Sequence, residues 1–300
     1  MRPGLSKILN TILADTQQEV ARDKVSQPLA KLRSMQKEAP AVLPFRDALR
    51  QGFGLIAEIK ECSPSQGPMP KANVDRAPKV YKQSPAVRAI SVLTNRSHFG
   101  KSMTLVRMRK IKIETGKPVL RKDFIFDKYQ VHQARAYGAD AILLMANVLE
   151  RDELHRLFDL ASELGMDVLF ETHHERELED IPKGASIFGI NCRTFDSAGK
   201  RYVVSRALSR VFNWAGFRHD LTTSIERFDY IKSLPKDAIK VAESGVRPEQ
   251  CRQVMDLGFD AILVGTSLLQ GDPIDAVMRQ FEEAVNPLVK TAPALSPAIA

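Results

Sequence analysis

Three glutamates and two lysines stand at the ends of short apolar runs: Glu58 and Lys60 in LIAEIK, Lys122 in PVLRKDF, Glu171 in DVLFET and Glu243 in IKVAES. Two residues apart on an extended strand, Glu58 and Lys60 point to the same side. Alone they would read as an ion pair at a strand end. Five ionisable groups gathered from four runs are a different matter, because charges brought to the end of a core are costly to desolvate without a purpose. Asn191, with Arg193 just after it, closes another run, and Glu243-Ser244-Gly245 and Gly265-Thr266 close the last two. Glycines there let backbone N–H groups approach an anion, which suits a phosphate. Lysines among cations and apolar walls can titrate low and act as general acids, and a carboxylate among carboxylates can titrate high. The set suits acid–base chemistry on a phosphorylated, anionic metabolite. No metal cluster is expected: His173 and His174 are adjacent, would diverge on a strand or loop, and read as ordinary solvent-facing residues.

The elements that must position these groups follow from periodicity. Eight apolar runs read as strands: 55–60, 87–94, 118–124, 141–146, 167–172, 186–191, 239–244 and 261–266. Helical stretches such as KYQVHQARAYGAD and ERDELHRLFDLASELGMD separate most of them, so the sheet is expected to be parallel. AYGADAILLM, ELGMDVLF, PKGASIFGI and DLGFDAILVG repeat one joint, a helix stopped by Gly and followed by a strand. Eight such units, with no G-x-G-x-x-G after the first strand, favour a (β/α)8 TIM barrel over a doubly wound sheet. The polar residues above then share the barrel's C-terminal mouth. Leu5, Ile8, Leu9, Ile12 and Leu13 form a helical stripe, continued by Val20, within an N-terminal helical extension over residues 1–50. Residues 51–285 are expected to be the barrel, and 286–300, rich in Pro and Ala, a flexible tail.

Hydrophobic residues at 44% and charged residues at 27% of 300 are globular values. Cys62, Cys192 and Cys251 form no close pair, which points to a reducing, cytoplasmic setting rather than a disulfide framework or zinc site. MRPGLSKILNTILADTQQEV interrupts its apolar positions too often for a signal peptide, and no run is long enough for a membrane span. A net charge of +8 would permit nucleic-acid binding. The charges are dispersed, however, and equally suit steering of an anionic small molecule, so no nucleic-acid partner is expected.

EIKECSPSQG, AISVLT, PVLRKDFIFDKYQVHQARAYGADAILLM, FETHHERELE, FGINCR, VAESGV and AILVGTSLL closely resemble the signature segments of the indole-3-glycerol phosphate synthase family, from about Leu5 to about Phe281. The resemblance implies ring closure of 1-(2-carboxyphenylamino)-1-deoxyribulose 5-phosphate, with loss of CO2 and water, and no cofactor or metal. It implies that Lys122 is the general acid that polarises the ketone and that Lys60 meets the substrate carboxylate. Either lysine could serve the dehydration. Glu171 would be the acid–base partner in that step, and Glu58 would orient the lysines. Asn191 and Glu243 would hold the hydroxyls and aryl-amine, and Phe99 would stack on the aromatic ring. Ser63 and Arg193 would complete the anion contacts, while Ser244, Gly245, Gly265 and Thr266 would meet the phosphate end. Ser63-Pro64-Ser65 would open a mobile loop that closes over substrate.

Two places depart from the family pattern. Phe99-Gly100-Lys101-Ser102 displaces the usual Gly and adds Lys101 near the substrate's aromatic end. After Arg193 the chain reads Thr194-Phe195 and carries a helical insertion of roughly twenty residues, about 196–217, beyond strand 6. Residues 194–219 hold Lys200, Arg201, Arg206, Arg210 and Arg218 against Asp196, a local +4. This stretch reads as a surface helix, or as a lid or docking element for a tryptophan-pathway enzyme. A diverged paralogue acting on another phosphorylated sugar, and a barrel that binds a phosphorylated ligand without turnover, stay open as alternatives.

Overall fold

The computed structural model describes residues 1–2, 4–63, 67–192 and 226–289. Within it the eight apolar runs become β1 (Gly54–Ile59), β2 (Val87–Leu93), β3 (Val119–Lys122), β4 (Ala141–Met145), β5 (Asp167–Thr172), β6 (Ile187–Asn191), β7 (Ile239–Glu243) and β8 (Ala261–Val264). All pair in parallel, each with its sequence neighbour, and β8 returns to β1 to close a (β/α)8 barrel. Two-residue periodicity then does the placing. Leu55, Ala57 and Ile59 point outward into the shell beneath the helices, while Ile56, Leu120, Leu169, Ile187, Val241 and Leu263 fill the barrel interior. Two residues beyond these inward positions come Glu58, Lys122, Glu171, Gly189 and Glu243, so the same alternation that packs the core delivers the polar groups to the mouth. The register sets Glu171 opposite Gly189 and Asn191 opposite Glu243.

Three helices precede β1: α1 (Lys7–Ser26), α2 (Leu29–Lys37) and α3 (Phe45–Leu49). The Ser6 side chain caps α1 by accepting from the Leu9 N–H at 3.3 Å. Of the stripe expected there, Leu9, Ile12, Leu13 and Val20 are buried, while Leu5 precedes the helix and is half-buried. Each such burial contributes roughly 1.5–3 kcal/mol. Asn95, just after β2, donates to Thr16 Oγ1 at 2.8 Å and ties α1 to the upper end of the barrel. At the opposite end the Arg46 N–H of α3 bonds Asp167, the first residue of β5.

Between strands lie α4 (Lys71–Gln83), α5 (Arg96–Phe99), α6 (Leu105–Thr115), α7 (Lys128–Ala136) and α8 (Arg151–Glu163). The later connections carry α9 (Cys251–Asp256), α10 (Thr266–Leu269) and α11 (Ile274–Val289). Of the four repeated joints, Gly138, Gly165 and Gly258 have positive φ, as helix stops require. Gly184 does not, because the element before it is a 3-10 turn, Glu175–Asp180, that ends at Ile181. Arg193, the insertion at 196–217 and Pro64-Ser65 lie outside the described residues. So does 290–300, although α11 carries four residues of the expected tail.

Candidate active site

A cavity of about 290 Å³ opens at the C-terminal ends of the strands. Glu58, Lys60, Lys122, Glu171, Asn191 and Glu243 line it, together with Phe99, Ser244, Gly245 and Thr266. Ser63 and Gly265 do not. Ser63 is fully buried in a two-residue antiparallel ladder, Cys62–Ser63 against Gly67–Pro68. Gly265 backs onto Glu58, whose Oε1 lies 2.4 Å from where a Cβ at Gly265 would stand.

Lys122 occupies the centre. Its Nζ lies 3.0 Å from Glu171 Oε2 and 3.4 Å from Glu243 Oε2. Beside it, Lys60 Nζ donates to Glu58 Oε1 at 2.5 Å, both groups almost wholly buried. Burial pulls Lys122 down, but Glu171, Glu243 and Glu58 outweigh it and hold the ammonium above its ordinary range. The low-titrating lysine expected from sequence is therefore corrected for Lys122: its nearest charges are carboxylates, not cations. Lys122 thus presents a fixed positive charge with protons to donate to any oxygen that gains negative charge nearby.

The two glutamates facing Lys122 behave oppositely. Burial pushes Glu171 up, yet Lys122, His173 and the Asn191 side chain, which donates to Oε1 at 2.9 Å, together hold it down at about 2. Burial also pushes Glu243 up. Lys122 counters only in part, the Glu171 charge adds to the push, and Glu243 stays up at about 8. Glu243 Oε1 has no hydrogen-bond partner among the described residues. One cation therefore faces a carboxyl held low and a carboxyl held high, an arrangement suited to taking and giving protons in successive steps.

At one end of the cavity Phe99 and Phe124 stack, centroids 6.4 Å apart and planes 24° from parallel, an aromatic wall against which a flat ring can pack. At the other end Ser244 and Gly245 turn the chain off β7 with φ of 72° and 75°. A left-handed serine is uncommon and marks strain of the kind found at binding turns. The buried Thr266 Oγ1 has no hydrogen-bond partner among the described residues.

Sequence reasoning missed several groups. Phe124 and Arg247 line the cavity; the former is two residues beyond Lys122, the latter two beyond Gly245. His173, expected to face solvent, is buried with Nε2 3.5 Å from Glu171 Oε1, while His174 is exposed. The reason is again alternation, since His173 is two residues past inward-facing Glu171. Lys101 is exposed and does not line the cavity, so the charge expected near the aromatic end is not there.

A family model described as indole-3-glycerol phosphate synthase matches residues 9–209. The protein of that name from Caldanaerobacter subterraneus subsp. tengcongensis is 36% identical over 270 residues, 88% of this chain and 94% of that protein. The one from Dehalococcoides mccartyi is 36% identical over 281 residues, 91% of this chain and 99% of that protein. The one from Mycolicibacterium gilvum is 34% identical over 282 residues, 91% of this chain and 93% of that protein.

Proposed function

Because this chain belongs to the indole-3-glycerol phosphate synthase family, we propose that it closes the indole ring of 1-(2-carboxyphenylamino)-1-deoxyribulose 5-phosphate, releasing CO2 and water, as a carboxy-lyase of tryptophan biosynthesis. The observation that carries the reading is the central ammonium of Lys122, held between Glu171 and Glu243 in a cavity with stacked aromatics at one end and the Ser244-Gly245 turn at the other.

The aryl ring packs against Phe99 and Phe124, and the phosphate meets Ser244, Gly245 and Thr266, with Gly265 contributing backbone. Lys122 donates to the ketone oxygen as the ring carbon bearing the carboxylate attacks the ketone carbon. The oxygen becomes a hydroxyl, and the carboxylate, held by Lys60, leaves as CO2. Glu171 and a lysine then move the protons that release that hydroxyl as water. Glu58 keeps Lys60 aimed inward, and Asn191 and Glu243 hold the substrate's hydroxyls and amine. Ser63 and Arg193 belong to this reading as anion contacts, the former from beside the cavity and the latter outside the described residues. Three free cysteines suit a cytoplasmic enzyme, and among the described residues no helix is long and apolar enough to cross a membrane. Deleting 196–217 tests that stretch as lid or pathway-enzyme docking element.

The direct assay follows indole fluorescence after adding the substrate to purified protein. Turnover is expected in the wild type and a loss of about a thousandfold in Lys122→Ala. A folded wild type without turnover would move the reading to another phosphorylated sugar or to a barrel that only binds.

A further inference from the structure

Glu243 is aimed at Lys122, yet nothing found around its other oxygen bonds it there. Oε1 is buried and has no hydrogen-bond donor among the described residues. What it has is space. A Cβ built on Gly189, the inward-facing residue of β6 beside it, would stand 1.9 Å from Glu243 Oε1, 2.9 Å from Cδ and 3.4 Å from Cγ. Those are its three nearest atoms, so the room a methyl group would need at Gly189 is taken by the Glu243 side chain. Carbon and oxygen cannot approach to that distance without bonding, and one of the two must move. Glu58 is seated in a parallel way: it leans from β1 onto Gly265 at the end of β8, as Glu243 leans from β7 onto β6.

We propose that Gly189 is a positioning residue for the ring-closure reaction: its missing side chain is the slot that receives Glu243 Oε1 and thereby directs Oε2 toward Lys122. Gly189 touches no reacting atom. It acts through the reach of one neighbouring side chain, and a methyl group there drives the carboxylate toward the cavity. The displaced atoms are the end of a side chain rather than backbone, so the barrel can accept the change while the carboxylate cannot keep its place. A misplacement of about 1 Å can cost roughly a hundredfold in rate.

The inference rests on the function proposed above, and the test separates the two. Wild type, Gly189→Ala, Glu243→Asp and the double variant are assayed for kcat and KM by indole fluorescence, with thermal unfolding of each. Gly189→Ala is expected to lose ten- to a hundredfold in kcat, with KM raised as well because Glu243 also holds the substrate. Glu243→Asp, one methylene shorter, also loses activity alone. In the Gly189→Ala background it makes room for the methyl, and the double variant is expected to exceed Gly189→Ala by at least threefold. Should Gly189→Ala fail to fold, the double variant is expected to fold, because the clash is with Glu243. Unchanged kcat in Gly189→Ala, losses that simply multiply, or a double variant that is also unfolded would each overturn the inference. An inactive wild type would instead overturn the proposed reaction.

Discussion

Buried and half-buried acids stand at both ends of this barrel, and the two ends treat them differently. At the N-terminal end Asp140 accepts from the Leu43 N–H at 2.6 Å, the Val119 N–H at 2.7 Å and Lys112 Nζ at 2.7 Å. Asp167 accepts from the Arg46 N–H at 2.9 Å and Asp260 from the Lys240 N–H at 2.8 Å. These carboxylates stitch the segment before β1, and neighbouring strands, to the barrel floor using donors the protein itself supplies. At the C-terminal end Glu243 has one oxygen facing Lys122 at 3.4 Å and another with no partner among the described residues. A buried polar atom left unsatisfied in a native structure calls for a reason. Here that reason is the seat at Gly189, which holds Oε1 while Oε2 faces Lys122 in the cavity, whereas satisfied groups at the floor serve stability.

The contrast can be broken first at its centre. Lys122→Ala removes the cation shared by Glu171 and Glu243, and the expected loss of about a thousandfold in kcat is the largest single effect. Circular dichroism of the same sample checks that the fold is kept. Next comes the aromatic wall: Phe124→Ala gives up ring contact of about 1 kcal/mol. It is expected to raise KM roughly five- to tenfold with a smaller change in kcat, read from initial rates.

The smallest effect is electrostatic and concerns stability. Glu243 titrates at about 8 in the folded protein because burial and the Glu171 charge favour its neutral form. The folded chain therefore holds a proton that the unfolded chain has released above the ordinary carboxylate range. The stability this supplies is complete below that range and is lost as pH rises through about 8. Glu243→Gln does not titrate, so urea midpoints of the ligand-free variant should fall less between about pH 5 and about pH 9 than those of the wild type. Parallel slopes would show that Glu243 is not the group responsible.

Most of the scaffold was legible because runs of four to eight apolar residues, bounded by helical stretches, can only alternate into a parallel sheet. The site was legible for the same reason: polar residues ending those runs fall at one mouth. His173 and Phe124 escaped although the alternation rule reaches them, each being two residues beyond an inward-facing group, Glu171 or Lys122. Charge was harder. A lysine's titration depends on which neighbours close around it, and only the fold brings Glu171 and Glu243, 49 and 121 residues further along the chain, to the same nitrogen. The seats of Glu58 and Glu243 were equally hidden, since a glycine's value there depends on what the adjacent strand presents.

The most direct test of the contrast is to measure kcat and the urea midpoint together for Asp140→Asn and Glu243→Gln. Asp140→Asn leaves the buried Lys112 without its counter-charge, and a loss of about 3 kcal/mol in stability is expected, with kcat kept wherever the protein is folded. Glu243→Gln is expected to lose at least tenfold in kcat while its midpoint near neutral pH holds or rises. The reverse pattern, a floor substitution that stops turnover in folded protein or a mouth substitution that only lowers the midpoint, would contradict the division between the two ends.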